Sequence, residues 1–232
     1  MGLDIATRLG SLDDIFAIEG EMMQKHKGRG VVRLKIDERV YYLKRYQLVP
    51  HQFFKRRVHL GFHELAMIDW LNDNGFAGPK VVARGSSGPL GLKTRMYFLM
   101  EEVPNEIPLE RYWRRCKNQQ EVLLDALAKH AARLHDRHFY HRDFSERHLY
   151  VGENGNAHTF RQIDVERAQV GVRDEAKAAA DLKTLAASVA NETLRVHLAG
   201  GFINTYLNAR QNGPISAAFK ALYAKAQSTK TF

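Results

Sequence analysis

Hydrophobic and polar positions change period along this chain. Residues 31–37 alternate, with Val32, Leu34 and Ile36 on one face and Arg33 and Lys35 on the other, which predicts a half-buried strand. Val40, Tyr42, Lys44 and Tyr46 continue period two over residues 40–46, and Asp37-Glu38 between the runs reads as a hairpin turn. Residues 22–25 read as the preceding strand, entering a turn at Lys27-Gly28-Arg29-Gly30. From Phe62 to Asn74 the period becomes helical, with Glu64, Ile68 and Leu71 on one face, and Asn74-Gly75 stops the helix. Pro79 to Ala83 predicts a short strand, residues 85–89 a loop, and residues 95–103 another strand. Residues 119–137 predict a long helix with Leu123, Leu127, Ala131 and Leu134 on one stripe. After residue 176 the chain is helical again, with a break at Gly213-Pro214. Strands thus gather before residue 103 and helices after it, which argues for an α+β fold or two lobes. The boundary falls near Glu102–Pro108, giving lobes of 1–103 and 104–232.

Composition adds bounds. The 232 residues are 44% hydrophobic and 26% charged, ordinary for a globular protein with a real core. No apolar run approaches the roughly 18 residues that span a bilayer. The start of the chain carries Asp4, Asp13 and Asp14 and lacks a secretory pattern, and Ala6 stands where myristoylation needs Ser or Thr. The single cysteine, Cys116, cannot form an internal disulfide, which fits a reducing cytoplasm. A net charge of +9 favours anionic partners. The charge recurs at Lys25/Lys27/Arg29/Arg33/Lys35, Lys55-Arg56-Arg57, Arg111/Arg114/Arg115/Lys117 and Lys220/Lys225/Lys230, the mark of a folded surface with several basic patches rather than a nucleic-acid-binding arm.

Chemistry concentrates in His141-Arg142-Asp143-Phe144-Ser145-Glu146-Arg147-His148, followed by Ile163-Asp164. Phosphoryl transfer needs held phosphates, a bridging metal and an oriented acceptor hydroxyl. Asp143, on a loop after the 119–137 helix, is the candidate base that orients the hydroxyl, with a turn-capping aspartate as the alternative. Asp164 is the candidate Mg²⁺ ligand, since that hard ion prefers carboxylate oxygen, with a turn role again the alternative. Lys44, on the inward face of a strand, is costly unless paired, and Glu64 on the next helix is its natural partner. Gly28 and Gly30 offer backbone amides to phosphate, although a plain hairpin turn needs glycine too. His130, His135, His138, His141 and His148 look like a metal cluster, but no Cys-x-x-Cys or His-Glu-x-x-His accompanies them, so packed or surface roles explain most.

Together these residues resemble the protein-kinase-like fold and, more narrowly, the bacterial lipopolysaccharide core kinases of heptose and Kdo. The resemblance runs from about Met22 to Ser188 and rests on Tyr41-Tyr42-Leu43-Lys44-Arg45-Tyr46, the His141–Leu149 loop, Ile163-Asp164-Val165-Glu166-Arg167 and Asp181-Leu182-Lys183. It implies a small β-rich N-terminal lobe and a helical C-terminal lobe with ATP between them. It further implies Lys44 and Glu64 as the nucleotide-lobe ion pair, Glu101 and Val103 as hinge residues offering backbone groups to adenine, and Asp181 as a brace for the catalytic loop. Arg142 and Asp143 then form the catalytic set. Asp164 and His148 lie on the metal side, His148 standing where general kinases place Asn and either ligating Mg²⁺ or hydrogen-bonding a phosphate or water. The implied activity is Mg-ATP-dependent phosphorylation of a core sugar, a heptose ahead of Kdo, at the cytoplasmic side of an anionic inner membrane, with no nucleic-acid partner. The alternatives are a pseudokinase acting as a binding module and a kinase of another small-molecule or protein hydroxyl.

Overall fold

The computed structural model describes residues 5, 9–26, 28–47, 57–88, 94–103, 105–116, 120–154, 157–189 and 201–210. In chain order the elements are α1 (Leu12–Ala17), β1 (Glu21–His26), β2 (Arg29–Ile36), β3 (Arg39–Gln47), α2 (Arg57–Asp73), β4 (Lys80–Ser87), β5 (Arg95–Glu101), β6 (Ile107–Pro108), α3 (Leu109–Arg115), α4 (Gln120–Asp136), β7 (Phe139–Tyr140), β8 (Leu149–Asn154), β9 (Ala157–Gln162), a 3₁₀ turn (Val165–Arg167), β10 (Gln169–Val170), α5 (Glu175–Ser188) and α6 (Ile203–Ala209). Two compact units result: Met1–Trp70 with Gly78–Pro104, and Leu71–Ala77 with Asn105–Phe232.

The first unit is an antiparallel sheet in the order β1-β2-β3-β5-β4. Asp37 and Glu38 both adopt positive φ (49° and 63°), which sets the β2–β3 hairpin where the alternation places it. Val32, Leu34, Tyr41, Leu43, Tyr97 and Leu99 form a core that α1 closes through Ile15, with Leu12 and Phe16 packed at its margin. Helix α1 starts with a capping box: Asp14 N donates to Ser11 Oγ (3.2 Å) and Ser11 N to Asp14 Oδ2 (2.8 Å). At its other end Arg45 Nη1 donates to the carbonyls of Ile15, Phe16 and Ile18, satisfying acceptors that the helix leaves open. Strand β4 continues through Ser87, paired with Arg95, so of the loop expected over residues 85–89 the first three residues are strand and Gly88 lies just beyond it. Gly85 is what permits this, because a Cβ there would stand 2.7 Å from the Tyr97 ring.

The second unit is built on α4, whose stripe Leu123, Leu127, Ala131 and Leu134 is buried as the periodicity predicts. Helix α6 packs against it. Helix α5 begins at Asp174, whose Oδ1 accepts from Lys177 N (3.0 Å). This unit also holds β6-β8-β9 and β10-β7, strands that the strand-then-helix division did not anticipate. β6, β7 and β10 have two residues each, and the six-residue β8 and β9 follow the charged loop between Tyr140 and Leu149. Helix α2 starts at Arg57, five residues before the expected Phe62. Lys27, Lys55, Arg56, Pro89, Lys117, the Gly213-Pro214 break and the basic positions Lys220, Lys225 and Lys230 lie outside the described residues.

Candidate active site

Strand β3 brings Lys44 inward in the first unit, and the third turn of α2 meets it with Glu64. Lys44 Nζ donates to Glu64 Oε1 at 2.7 Å, with the two side chains 6% and 2% exposed. Tyr46, two residues along β3 and on the same face, donates its hydroxyl to Glu64 Oε2 at 2.5 Å. The carboxylate thus has a partner on each oxygen, which is what a buried charge requires. The Tyr46 ring stacks on Phe98 with centroids 6.2 Å apart. Gly61, one turn before Glu64, lets the helix approach: a Cβ there would overlap Met96 Sδ and stand 2.7 Å from the Tyr46 ring. Helix propensity alone would make Gly61→Ala stabilising by about 1 kcal/mol. We expect the opposite sign, a loss of about 1–3 kcal/mol from overpacking against a ring that cannot turn away, measurable by thermal denaturation.

Gly28, at φ +78°, makes the tight β1–β2 turn, and its carbonyl accepts from Gln47 N (2.9 Å). Gly30 lies in the ladder opposite Lys25 and Arg45, and a Cβ on it would meet only an ordinary contact, so the turn is narrower than the expected Lys27–Gly30. Glu101 ends β5 between β3 and β4, its carboxylate shared by Lys80 (2.5 Å) and Arg39 (3.4 Å). Beyond it Glu102 donates its N–H to Val40 O (2.9 Å), and Val103 follows, half-buried.

In the second unit the β8–β9 hairpin brings two loops together. Leu149 pairs with Gln162, and one step further Ile163 N donates to His148 O (3.0 Å). Asp164 therefore stands beside the loop carrying Asp143. His148 sits between the two carboxylates, its Nδ1 3.7 Å from Asp143 Oδ2 and its Nε2 3.8 Å from Asp164 Oδ2. Nδ1 is also 3.0 Å from Asp143 O and 3.1 Å from Ser145 Oγ; the carbonyl only accepts, so a hydrogen on Nδ1 serves it while the hydroxyl can turn to suit. In that tautomer the Nε2 lone pair faces the Asp164 carboxylate. Two electron-rich atoms facing each other call for a proton or a cation between them. Neighbouring octahedral ligands of Mg²⁺ stand roughly 3 Å apart, so this pair, at 3.8 Å, would have to draw together by a little under 1 Å to share such an ion. Among the described residues no group of three or more His, Cys, Asp or Glu could hold a metal, so water and phosphate oxygen would supply the remaining ligands.

Both loops are held in unusual backbone. Arg142 (φ 65°) and Asp164 (φ 55°) are left-handed, a conformation that costs of order 1–3 kcal/mol for a residue with a side chain. Asp164 makes no side-chain hydrogen bond to the 3₁₀ turn it precedes, so its carboxylate is not the turn cap of the alternative reading. Asp181, 1% exposed on α5, accepts from His141 N (2.7 Å, Oδ2) and Arg142 N (2.8 Å, Oδ1) and so fixes the bend just before Asp143. His141 is buried, with Nε2 donating to Ile163 O (3.1 Å), a second tie between the loops. Burial holds its pKa below the ordinary value, with the Asp181 charge working against this. Arg142 points outward to solvent while its backbone takes the strain.

Of the other histidines in this stretch, His135 is buried and His130 and His138 are half-buried. His130 is pushed down to about 3 by burial, with Arg133 and His135 adding to the effect, and its ring meets the Gln162 amide. Glu146 was not foreseen as a special residue: burial, with Glu110 beside it, pushes it up to about 7, and its N–H donates to Ser188 Oγ (3.0 Å). A lone glutamate in a charged loop carries no sequence signal for that burial. Helix α1 had one, the Ser11-x-x-Asp14 pair before Ile15-Phe16.

A sheet-bearing unit with a buried Lys–Glu pair, and a helical unit with two hairpin-linked carboxylate loops, define a protein-kinase-like phosphotransferase. Solved structures agree on the fold. The chain is 21% identical to WaaP in complex with acyl carrier protein, with TM-score 0.67 over 94% of this chain and 92% of that one. It is 18% identical to an aminoglycoside-3'-phosphotransferase of type VIII, with TM-score 0.58 over 97% of each chain. Residues 13–206 match the family model of the Lipopolysaccharide kinase (Kdo/WaaP) family, and the chain belongs to that family. A search of curated protein sequences gave no match.

Proposed function

We propose that this lipopolysaccharide core kinase transfers the γ-phosphate of ATP, with Mg²⁺, to a hydroxyl of an inner-core heptose, in preference to Kdo. The observation that carries the reading is the placement of His148 between Asp143 and Asp164. Asp143 accepts the hydrogen bond of the acceptor hydroxyl and orients its oxygen toward phosphorus. Lys44, held by Glu64, meets the nucleotide phosphates, and Gly28 and Gly30 lie on the hairpin that covers them. Glu101 and Val103 present backbone groups to adenine. Asp164 and His148 would hold the divalent ion, which neutralises phosphate charge when bound. Arg142 shapes the loop through its backbone. On this reading residues 1–103 form the nucleotide lobe and 104–232 the catalytic lobe.

Among the described residues no helix is long and apolar enough to cross a membrane. The excess positive charge would hold the protein at the cytoplasmic face of the inner membrane, each Lys or Arg near anionic lipid contributing about 1 kcal/mol.

The test is transfer of labelled γ-phosphate to two purified acceptors, one carrying heptose and Kdo and one truncated to Kdo. Label in the first alone supports the heptose, label in both supports Kdo, and label in neither refutes the proposal. Asp164→Asn is expected to lower kcat by at least about 10²-fold and to raise the Mg²⁺ concentration at half-maximal rate. A magnesium titration identical to wild type would remove Asp164 from the metal site.

A further inference from the structure

Asp181 is itself held from behind, by residues of α4 and α6 and of the segment just past α6. Its Oδ2 lies 3.4 Å from His135 Nε2 on α4. His135 Nδ1 lies 2.7 Å from the Tyr206 hydroxyl on α6. Arg210, just past α6, donates Nη1 to the same hydroxyl at 2.6 Å and Nε to Asp136 Oδ1 at 2.5 Å, with Nη2 3.4 Å from Glu175. His135, Tyr206 and Asp181 are at most 1% exposed, and Arg210 is 9% exposed.

Donor and acceptor chemistry gives this chain one direction. An ionised carboxylate only accepts, so His135 Nε2 carries the hydrogen that faces Asp181. The neutral ring then has its lone pair on Nδ1, so Tyr206 donates to it. The tyrosine oxygen is left to accept from the guanidinium, which can only donate. Burial raises the Tyr206 pKa well above the ordinary phenol value, so the hydroxyl keeps the proton it donates. The order is Arg210 to Tyr206 to His135 to Asp181, and Asp181 receives the N–H groups of His141 and the left-handed Arg142.

We propose that Tyr206 and Arg210 are positioning residues for phosphoryl transfer: through His135 they fix the Asp181 carboxylate, and through it the strained backbone that aims Asp143. The proposal rests on the reading of Asp143 as the residue that orients the acceptor. Packing alone does not call for the hydroxyl. The Tyr206 ring already sits edge-on to His135, centroids 5.6 Å apart, and phenylalanine would fill the same space. Without the hydroxyl, His135 Nδ1 loses its donor, and the hydrogen bond that keeps one oxygen of Asp181 aimed at His141 loses its support. A displacement of about 1 Å at a reacting group is enough to cost roughly 10²-fold in rate.

Two variants of the full chain test this, Tyr206→Phe and Arg210→Lys. Lysine keeps the charge but cannot span Tyr206 and Asp136 with a planar fork. The readouts are kcat and KM for ATP with magnesium and purified core lipopolysaccharide, melting temperature, and amide hydrogen exchange of residues 139–145. We expect kcat to fall roughly 10- to 100-fold with KM for ATP within about twofold. Exchange at His141 and Arg142 should quicken while exchange in the middle of α4 stays at the wild-type rate. A kcat within twofold of wild type in both variants, beside an inactive Asp143→Asn, overturns the proposal and leaves Asp143 standing. A loss of activity that follows only the loss of folded protein, with exchange at residues 141 and 142 unchanged, overturns it as well. Wild-type turnover in Asp143→Asn removes the Asp143 reading and this proposal together.

Discussion

Asp143→Asn is expected to lower kcat by roughly 10²- to 10⁴-fold, the range that a positioned proton acceptor contributes. Asparagine keeps the size of the side chain but cannot take the acceptor's proton. The fold should not notice. His148 is bonded to the Asp143 backbone carbonyl, which the substitution retains, and Asp181 holds the backbone of His141 and Arg142 rather than the Asp143 side chain. The Asp143 side chain is 29% exposed, so unfolding free energy should stay within about 0.5 kcal/mol of wild type. Turnover of purified protein together with a urea titration checks both halves. Retention of more than a tenth of wild-type turnover would exclude Asp143 as the base.

Glu64→Ala is the substitution expected to cost most in stability. It removes the carboxylate that the Lys44 ammonium, 6% exposed, and the Tyr46 hydroxyl both donate to. Breaking a buried pair from one side costs about 3–5 kcal/mol, because the remaining charge stays out of water. The double variant Lys44→Met/Glu64→Leu should regain most of that stability, since apolar groups of similar volume replace buried ion pairs at little cost and sometimes with gain. It should regain no phosphoryl transfer. Urea unfolding of the single and double variants, with turnover measured on each, separates the two roles. A Glu64→Ala variant within about 1 kcal/mol of wild type would show that the pair is not the buried unit described. Stability alone is a weak reason for this fold to carry a charged pair in its core, whereas the proposed contact of Lys44 with nucleotide phosphate would be a sufficient one.

The elements themselves show where sequence reading ends. Alternation placed β2 and β3 and their turn, because a half-buried strand repeats every two residues whatever it packs against. The α4 stripe followed from period 3.6 for the same reason. The loop expected over residues 85–89 turned out to be strand through Ser87, because Gly85 leaves room for the Tyr97 ring, a neighbour that lies twelve residues away. In the second unit the strand-like approach at Gln162-Ile163 and a hairpin returning Asp164 toward the charged loop were legible, whereas β6, β7 and β10, two residues each, are too short to show a period.

The candidate site divides along the same line. Sequence alone supplied the candidates: Lys44 and Glu64 as partners, Asp143 and Asp164 as the carboxylates proposed to act on acceptor and metal, and His148 as the residue proposed for the metal side. Residue type and spacing carry chemical capacity, and that survives without coordinates. Tertiary structure supplied direction. It decided that His148 places Nδ1 on Asp143 O and turns Nε2 toward Asp164, that Tyr46 takes the second oxygen of Glu64, and that Asp181 bends the loop through two backbone N–H groups. It also linked Asp181 to Tyr206 and Arg210, residues 25 and 29 positions further along the chain that no local pattern connects to the catalytic loop. Hydrogen bonds depend on a few tenths of an ångström and on which atom faces which. Local periodicity fixes only which face of an element a side chain occupies, so these contacts are settled when the elements pack.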